Sequence, residues 1–413
     1  MPNEVDVIIV GARCAGATLA MRLGQSRVRV CLVDSARFPS ETLSTHAMFN
    51  NTVHHLKALG IGGLFAETSA PAVSEVIMRF DEVSIRGNLP IVQGESHGYC
   101  IRRSELDQAL LEKAVSYPTV SFLEAFRVQS LLKREGRVVG VRGRDGQGRV
   151  CDISAHMVIG ADGRHSVVRR ELSLSPRQAV PSDFACYFSY LSHLGREGSP
   201  AFEVNRIGDY TLVVFPASRQ QSVVYVSFPN TDQPWMKAFQ RHPMEAYGRF
   251  LKENFQLISF HQRLARAVVE EPVRGLPFYV NAWYPAMGPG WALVGDAAMF
   301  KDPALAQGIH DAIWGAELLA EALIKYSDWQ SQEAALAGEY ERQLDHHFGS
   351  LFKLALTMTK FYPMTAEQKQ FFQWIEENDE AKERFIGLYN RAFTVEDYQA
   401  KVAEGWKRQA GEG

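Results

Sequence analysis

Gly11, Ala12, Arg13, Ala15 and Gly16 follow directly on the apolar run Val7 to Val10, and Asp34 closes a second apolar run that starts at Val28. A strand, a tight glycine turn and a helix start would aim unpaired N–H groups and a positive dipole end at a phosphate. An acid about 20 residues further on is where such turns hold a ribose hydroxyl. The middle glycine of the G-x-G-x-x-G spacing is Arg13. That glycine normally lets the backbone approach the pyrophosphate, so Arg13 either points outward or adds a phosphate contact. The plainer reading is a strand–turn–helix that holds no nucleotide.

Three more turns carry the same chemistry. Met157 to Gly160 breaks into Ala161-Asp162-Gly163, and Trp291 to Val294 breaks into Gly295-Asp296. Gln307-Gly308-Ile309 opens a helix whose apolar stripe continues through Ala312, Ile313, Ala316, Leu319, Ala320 and Leu323. Arg103 begins another helix, with Ser104 and Asp107 in a capping-box pattern. Each has a bland alternative: Asp162-Gly163 a turn, Asp296 a cap, Arg103 a surface charge. Gly146 and Gly148 lie in a polar hairpin between 138–142 and 150–154, with no helix behind them, so they carry no second dinucleotide site.

The elements that must position these turns come next. At 413 residues, two or three domains are expected. Residues 72–97 and 182–279 are strand-rich, with one helical insert at 244–254, and form the expected substrate domain. Residues 1–71, 98–181 and 280–330 form the discontinuous nucleotide-binding domain. Residues 331–413 are helical, and Phe371, Phe372, Ile375, Phe385, Ile386 and Tyr389 give them an apolar face for docking on the body or a second subunit. In the middle region Tyr187, Phe188, Phe202, Tyr210, Phe215, Tyr225, Phe228 and Phe278 either line an apolar pocket or pack the sheet.

A hydrophobic share of 46%, a charged share of 22% and a net charge of −3 give a globular chain without the basic excess that nucleic acid or an anionic membrane would ask for. Five scattered cysteines without a C-x-x-C spacing read as free thiols in a reducing compartment, with Cys14 packing in the phosphate turn. No signal peptide and no long uncharged apolar run are found, so a cytoplasmic protein without a membrane span is expected. His54-His55 and His346-His347 have no acid or cysteine at metal spacing, so no metal site is expected.

Taken together, the Gly11–Gly16 turn with Asp34, the Arg103-x-x-Leu106-Asp107 helix start, Gly160-Ala-Asp-Gly163, and Gly295-Asp296 with Gln307-Gly308 resemble the FAD-dependent monooxygenases of the p-hydroxybenzoate hydroxylase type. The motifs are also close to geranylgeranyl reductases and flavin halogenases. The resemblance spans roughly residues 5–330 and implies an α/β fold. Its parts are a Rossmann-like FAD-binding domain of the glutathione-reductase type, an inserted β-sheet substrate domain and a C-terminal helical extension.

By that resemblance Gly11, Ala12, Arg13, Ala15 and Gly16 face the FAD pyrophosphate and Asp34 holds the adenosine ribose. Arg103 meets the phosphate or ribityl region, and Val128 lies beside adenine. Asp162 and Gly163 serve FAD and NAD(P)H, while Gly295 and Asp296 sit by the ribityl–pyrophosphate. Gly308 and Ile309 present N–H groups to the flavin N1–C2=O edge, where a helix N-terminus suits negative charge. His46 and His310 are the titratable groups expected nearest the ring, as candidate catalytic acid–bases.

The implied activity is NAD(P)H-dependent monooxygenation of an aromatic or polyketide-like small molecule through a flavin C4a-hydroperoxide, with O2 as co-substrate and a monomer or homodimer as the assembly. A C=C reductase is the alternative, and a non-catalytic nucleotide-binding protein a third. Met299 and His310 stand where histidine and asparagine are frequent in such proteins. No Trp-x-Trp-x-x-Pro signature occurs and no lysine precedes Lys57, which argues against halogenation.

Overall fold

The computed structural model describes residues 4–410 except 43, 196–197 and 327. The last three residues of the C-terminal region therefore lie outside the described residues. The strand Glu4–Val10 is the centre of a parallel sheet, flanked by Val150–Gly160 on one side and Val30–Val33 on the other. Trp291–Leu293 and Val120–Leu123 extend it outward, also in parallel. Val7 and Ile9 point into a core shared with the helices Cys14–Gln25, Arg103–Val115 and Gly308–Lys325. Ile8 and Val10 point the other way, into a core with the antiparallel strands Arg127–Arg134 and Arg137–Arg144. The period-2 alternation of one apolar strand thus joins two layers.

The sequence splits 150–154 from 157–160, but a single strand runs the whole way. Its first half pairs antiparallel with Arg137–Arg144 and its second half pairs parallel with Glu4–Val10. The outer half is polar because one face meets solvent, which hides its continuity.

A second sheet runs in the order Val268–Val269, Phe184–Ser192, Gln221–Pro229, Tyr210–Pro216, Ala201–Ile207, Glu75–Phe80, Val83–Asn88. One face is covered by the helices Gln233–Arg241 and Pro243–Asn254, the first of which the sequence reading lacks. The opposite face carries Phe188, Tyr190, Phe202 and Phe215.

The C-terminal helices divide between the two sheets. Glu333–Met358 places Tyr340, Phe348 and Phe352 in the helix-side core of the first. Ile375, Phe385 and Ile386 pack on the second, where Phe372 stacks on Phe80 at 3.7 Å. The apolar stripe of the tail is spent on its own chain.

Candidate functional site

Gly11 adopts φ +106°, and a Cβ there would stand 2.4 Å from the Ala161 carbonyl oxygen. A Cβ on Gly16 would stand 1.8 Å from the Gly11 oxygen, so helix and strand touch backbone to backbone. Asp34 braces this turn: Oδ2 accepts from the Ala12 N–H and Oδ1 from the Ala36 N–H, each at 2.8 Å. The helix Cys14–Gln25 has no side-chain cap and no acid in its first turn, which leaves its N-terminal donors for an anion.

Arg13, in place of the middle glycine, is tied sideways. Its guanidinium donates to Asp107 Oδ2 at 2.7 Å and to Ser40 Oγ at 2.9 Å. Fully buried Asp107 also accepts from Arg103 Nε and Nη2, at 3.1 and 2.8 Å, and from Cys14 Sγ at 3.3 Å. The Ser104–Asp107 capping box is therefore a correction: Arg102 occupies the cap position without a side-chain bond, and Ser104 Oγ donates to Glu41 instead. Two arginines compete for the Asp107 carboxylate more strongly than neutral backbone N–H groups can. Burial pushes the Cys14 thiol up to about 12, so it stays protonated and packs.

The other turns converge on the same trough. Gly295 takes φ +63° and Gly163 φ +74°. Burial raises the pKa of Asp296, while Arg103, Lys301, Arg164 and Arg169 pull it back. Asp162 Oδ2 accepts from the Val167 N–H at 2.6 Å, and burial raises its pKa while hydrogen bonds from Ser166 and the following backbone oppose the rise. The helix Gly308–Lys325 also opens without a side-chain cap, with Asp311 in its first turn.

A cavity of about 830 Å³ is lined by Gly11, Arg13, Ala15, Asp34, Arg103, Val128, Asp162, Gly163, Gly295, Asp296, Gly308, Ile309 and His46. Ala12 and Gly16 are not on its wall; they form the packed back of the turn. Its size falls within the range of about 300–1,000 Å³ usual for small-molecule sites. The polar groups fit FAD: uncapped helix N-termini that donate to phosphate, and the Asp34 carboxylate at a glycine turn that accepts from a ribose hydroxyl. Phe188, Tyr225, Leu276, Met299, Phe300 and Phe348 give the same cavity an apolar wall. Of the aromatic residues expected there, Phe188 and Tyr225 are present, whereas Tyr187, Phe228 and Tyr210 pack under helices and Phe278 is exposed.

His310 is not on the wall. Its Nδ1 lies 3.2 Å from Asp311 Oδ1, with the Trp314 and His55 rings 5.3 and 5.4 Å away. Asp311 also pairs with Lys301 and with Arg391 of the tail, both at short range. His55 pairs with Glu317 at 2.7 Å. The positions that sequence reasoning missed are Lys301 and Arg391; Asp107 was singled out in the Arg103-x-x-Leu106-Asp107 motif but given a capping role instead of its pairing with Arg13 and Arg103.

A family model described as an FAD binding domain matches residues 4–194. Digeranylgeranylglycerophospholipid reductase 1 of Methanopyrus kandleri is 26% identical over 380 residues, or 87% of this chain and 91% of that protein. Kynurenine 3-monooxygenase of Salinispora arenicola is 26% identical over 365 residues, 84% of this chain and 78% of that protein. Among solved structures, the flavin-dependent brominase Bmp2 aligns with a TM-score of 0.79 at 17% identity, covering 99% of this chain and 100% of that one. This last is a likeness of fold. No described helix is long and apolar enough to cross a membrane.

Proposed function

We propose that this chain, whose residues 4–194 match an FAD binding domain and which is similar along most of its length to a reductase and a monooxygenase, is an NAD(P)H-dependent monooxygenase hydroxylating an aromatic or polyketide-like small molecule. Bound FAD would supply the redox chemistry, taking a hydride from NAD(P)H and passing electrons to O2. The chain's own residues bind, orient and exclude water.

The N-terminus of Cys14–Gln25 takes the pyrophosphate. Asp34 keeps lone pairs for a ribose hydroxyl beside its two backbone bonds. Val128 borders the adenine end, Arg103 and Asp296 the middle, and the N–H groups of Gly308 and Ile309 the electron-rich ring edge. Asp162 and Gly163 form the loop between cofactor and reductant. NAD(P)H docks transiently at the surface.

The observation that carries this reading is the continuity of one cavity from the Asp34 turn to the wall of Phe188, Tyr225 and Met299. An apolar substrate on that wall shares a dry space with the cofactor, which the chemistry requires. The 91% coverage of the reductase relative favours a second reading, reduction of a C=C bond without oxygen insertion.

One set of measurements separates the readings. The purified protein is expected to be yellow, and candidate aromatic compounds are expected to accelerate anaerobic reduction of its flavin by NAD(P)H. Oxygen uptake in step with hydroxylated product supports the monooxygenase. Product formed equally well without O2 moves the assignment to the reductase. A colourless chain that refuses added FAD removes both.

A further inference from the structure

His46 occupies the left-handed region at φ 60° and is 1% exposed at the cavity wall. A non-glycine residue held there marks a position the surrounding structure has over-determined. Its Nε2 meets the Tyr190 hydroxyl in a short hydrogen bond, the two rings lie 5.4 Å apart at 14°, and the Phe188 ring stands edge-on at 6.4 Å. Its Nδ1 is buried and has no partner among the described residues. Behind Tyr190 the Arg102 guanidinium lies 4.0 Å from the ring centre, fixed by Glu41, Glu271 and Gln221.

Proton counting then chooses between two arrangements. A neutral imidazole has one N–H and a tyrosine one O–H. If Nε2–H donates to Tyr190, the tyrosine proton has no acceptor and Nδ1 no donor, which leaves two buried polar atoms unmatched. If Tyr190 donates to Nε2, the ring proton sits on Nδ1 and only that one group is unmatched. Buried polar groups are matched wherever they can be, so the second arrangement is preferred. The cation over the phenol ring also favours Tyr190 as donor, since it draws electron density from the hydroxyl. The charged groups facing His46 are Arg102 and Arg103 from one helix and Arg274 from a strand, all opposing an imidazolium.

We propose that Tyr190 fixes His46 as its Nδ1–H tautomer, making it a neutral hydrogen-bond donor at the cavity wall for a carbonyl or oxyanion on the bound molecule. Tyr190 is a positioning residue that acts through His46. The ligand half rests on the cavity being the flavin and substrate site proposed above, whereas the tautomer half stands without it.

Long-range 1H–15N correlation spectra of protein labelled at histidine nitrogen test both halves. His46 is identified by its through-space contacts to the Phe188 ring and by loss of its signals in His46→Gln. The expected result is a neutral ring protonated at Nδ1, converted to the Nε2–H form in Tyr190→Phe. An Nε2–H ring in the wild-type protein, or an unchanged Nδ1–H ring in Tyr190→Phe, overturns the proposal. The wild-type spectrum decides the tautomer even if the variant does not fold. FAD alone, then 4-hydroxyacetophenone added to the FAD-loaded protein, serve as acceptor probes. A downfield move of the Nδ1 proton in the first arm makes the flavin the acceptor, and a move only in the second makes it the substrate carbonyl. No move in either arm overturns the ligand half. The tautomer is read without turnover, so failure of the monooxygenase reading and failure of this one are told apart.

Discussion

His46 and His310 are both 1% exposed, and burial holds both pKa values well below the usual 6.5. They differ in company. Each leaves one buried ring nitrogen without a partner among the described residues, Nδ1 of His46 and Nε2 of His310, but His46 faces a neutral phenol and lines the cavity. His310 sits in an ionic cluster of Asp311, Lys301 and Arg391 that joins the tail to the start of a helix. The difference teaches that burial, titration direction and an unmatched ring nitrogen are shared by both; what separates them is whether the side chain borders the cavity. On that ground we propose a structural role for His310, which lies off the wall, and keep His46 as the catalytic proposal.

The comparison breaks most sharply at Asp311. Asp311→Ala removes the carboxylate that pairs with buried Arg391 and Lys301 and is expected to destabilise the protein by about 3–5 kcal/mol, read from urea denaturation, with the tail loosened. If the denaturation midpoint is unmoved, the cluster does not hold the tail. His46→Gln is expected to lower product formation about 100-fold with flavin content retained. His310→Gln, by contrast, should lower thermal stability and leave turnover within about threefold, a change of about 0.7 kcal/mol in barrier. Equal losses of turnover in the two variants would erase the distinction drawn here.

A smaller effect sharpens what the two share. A histidine whose folded pKa is depressed contributes stability that is complete above the unfolded pKa near 6.5 and is lost as pH falls toward the folded value. Below pH 6.5, each single Gln variant should therefore lose stability less steeply than wild type, by about 1.4 kcal/mol per pH unit. Urea midpoints at pH 7.5, 6.5 and 5.5 check the slope, and a variant as steep as wild type removes that histidine from the account. A test away from both histidines is at Asn390, whose side chain donates to Asn50 Oδ1 at 2.8 Å and to the Pro90 carbonyl at 2.7 Å. Asn390→Ala should cost about 1–3 kcal/mol and leave the flavin spectrum unchanged. A shifted flavin band would mean that the tail reaches further into the cavity than its hydrogen bonds suggest.

Legibility in the sequence followed the range of the constraint. The Gly11 turn and Asp34 could be read because a strand, a turn and the next strand dictate them locally. The helix at Gly308 announced itself by its stripe. Asp107 was misread because its decisive partner, Arg13, lies 94 residues away, and a capping pattern offered a nearer explanation. The helix Gln233–Arg241 escaped because its buried contribution is only Trp235 and Phe239 among polar neighbours. Tyr190 was one aromatic in a strand of aromatics, and only the cross-chain approach of His46 separates it from them. Arg391 stood in a charged tail where nothing local distinguishes a buried cation from a solvated one.

The hydrogen bonds that join Asn50 to Asn390 and Gln307 to Tyr389 tie an early helix start, and the residue that opens the helix Gly308–Lys325, to one segment of the tail. A ribosome exposes Asn390 some 340 residues after Asn50, long after the glycine turn has emerged. A chain halted before Tyr389 would lack both bonds, and the turn that opens the helix Gly308–Lys325 would lose its tie to the tail.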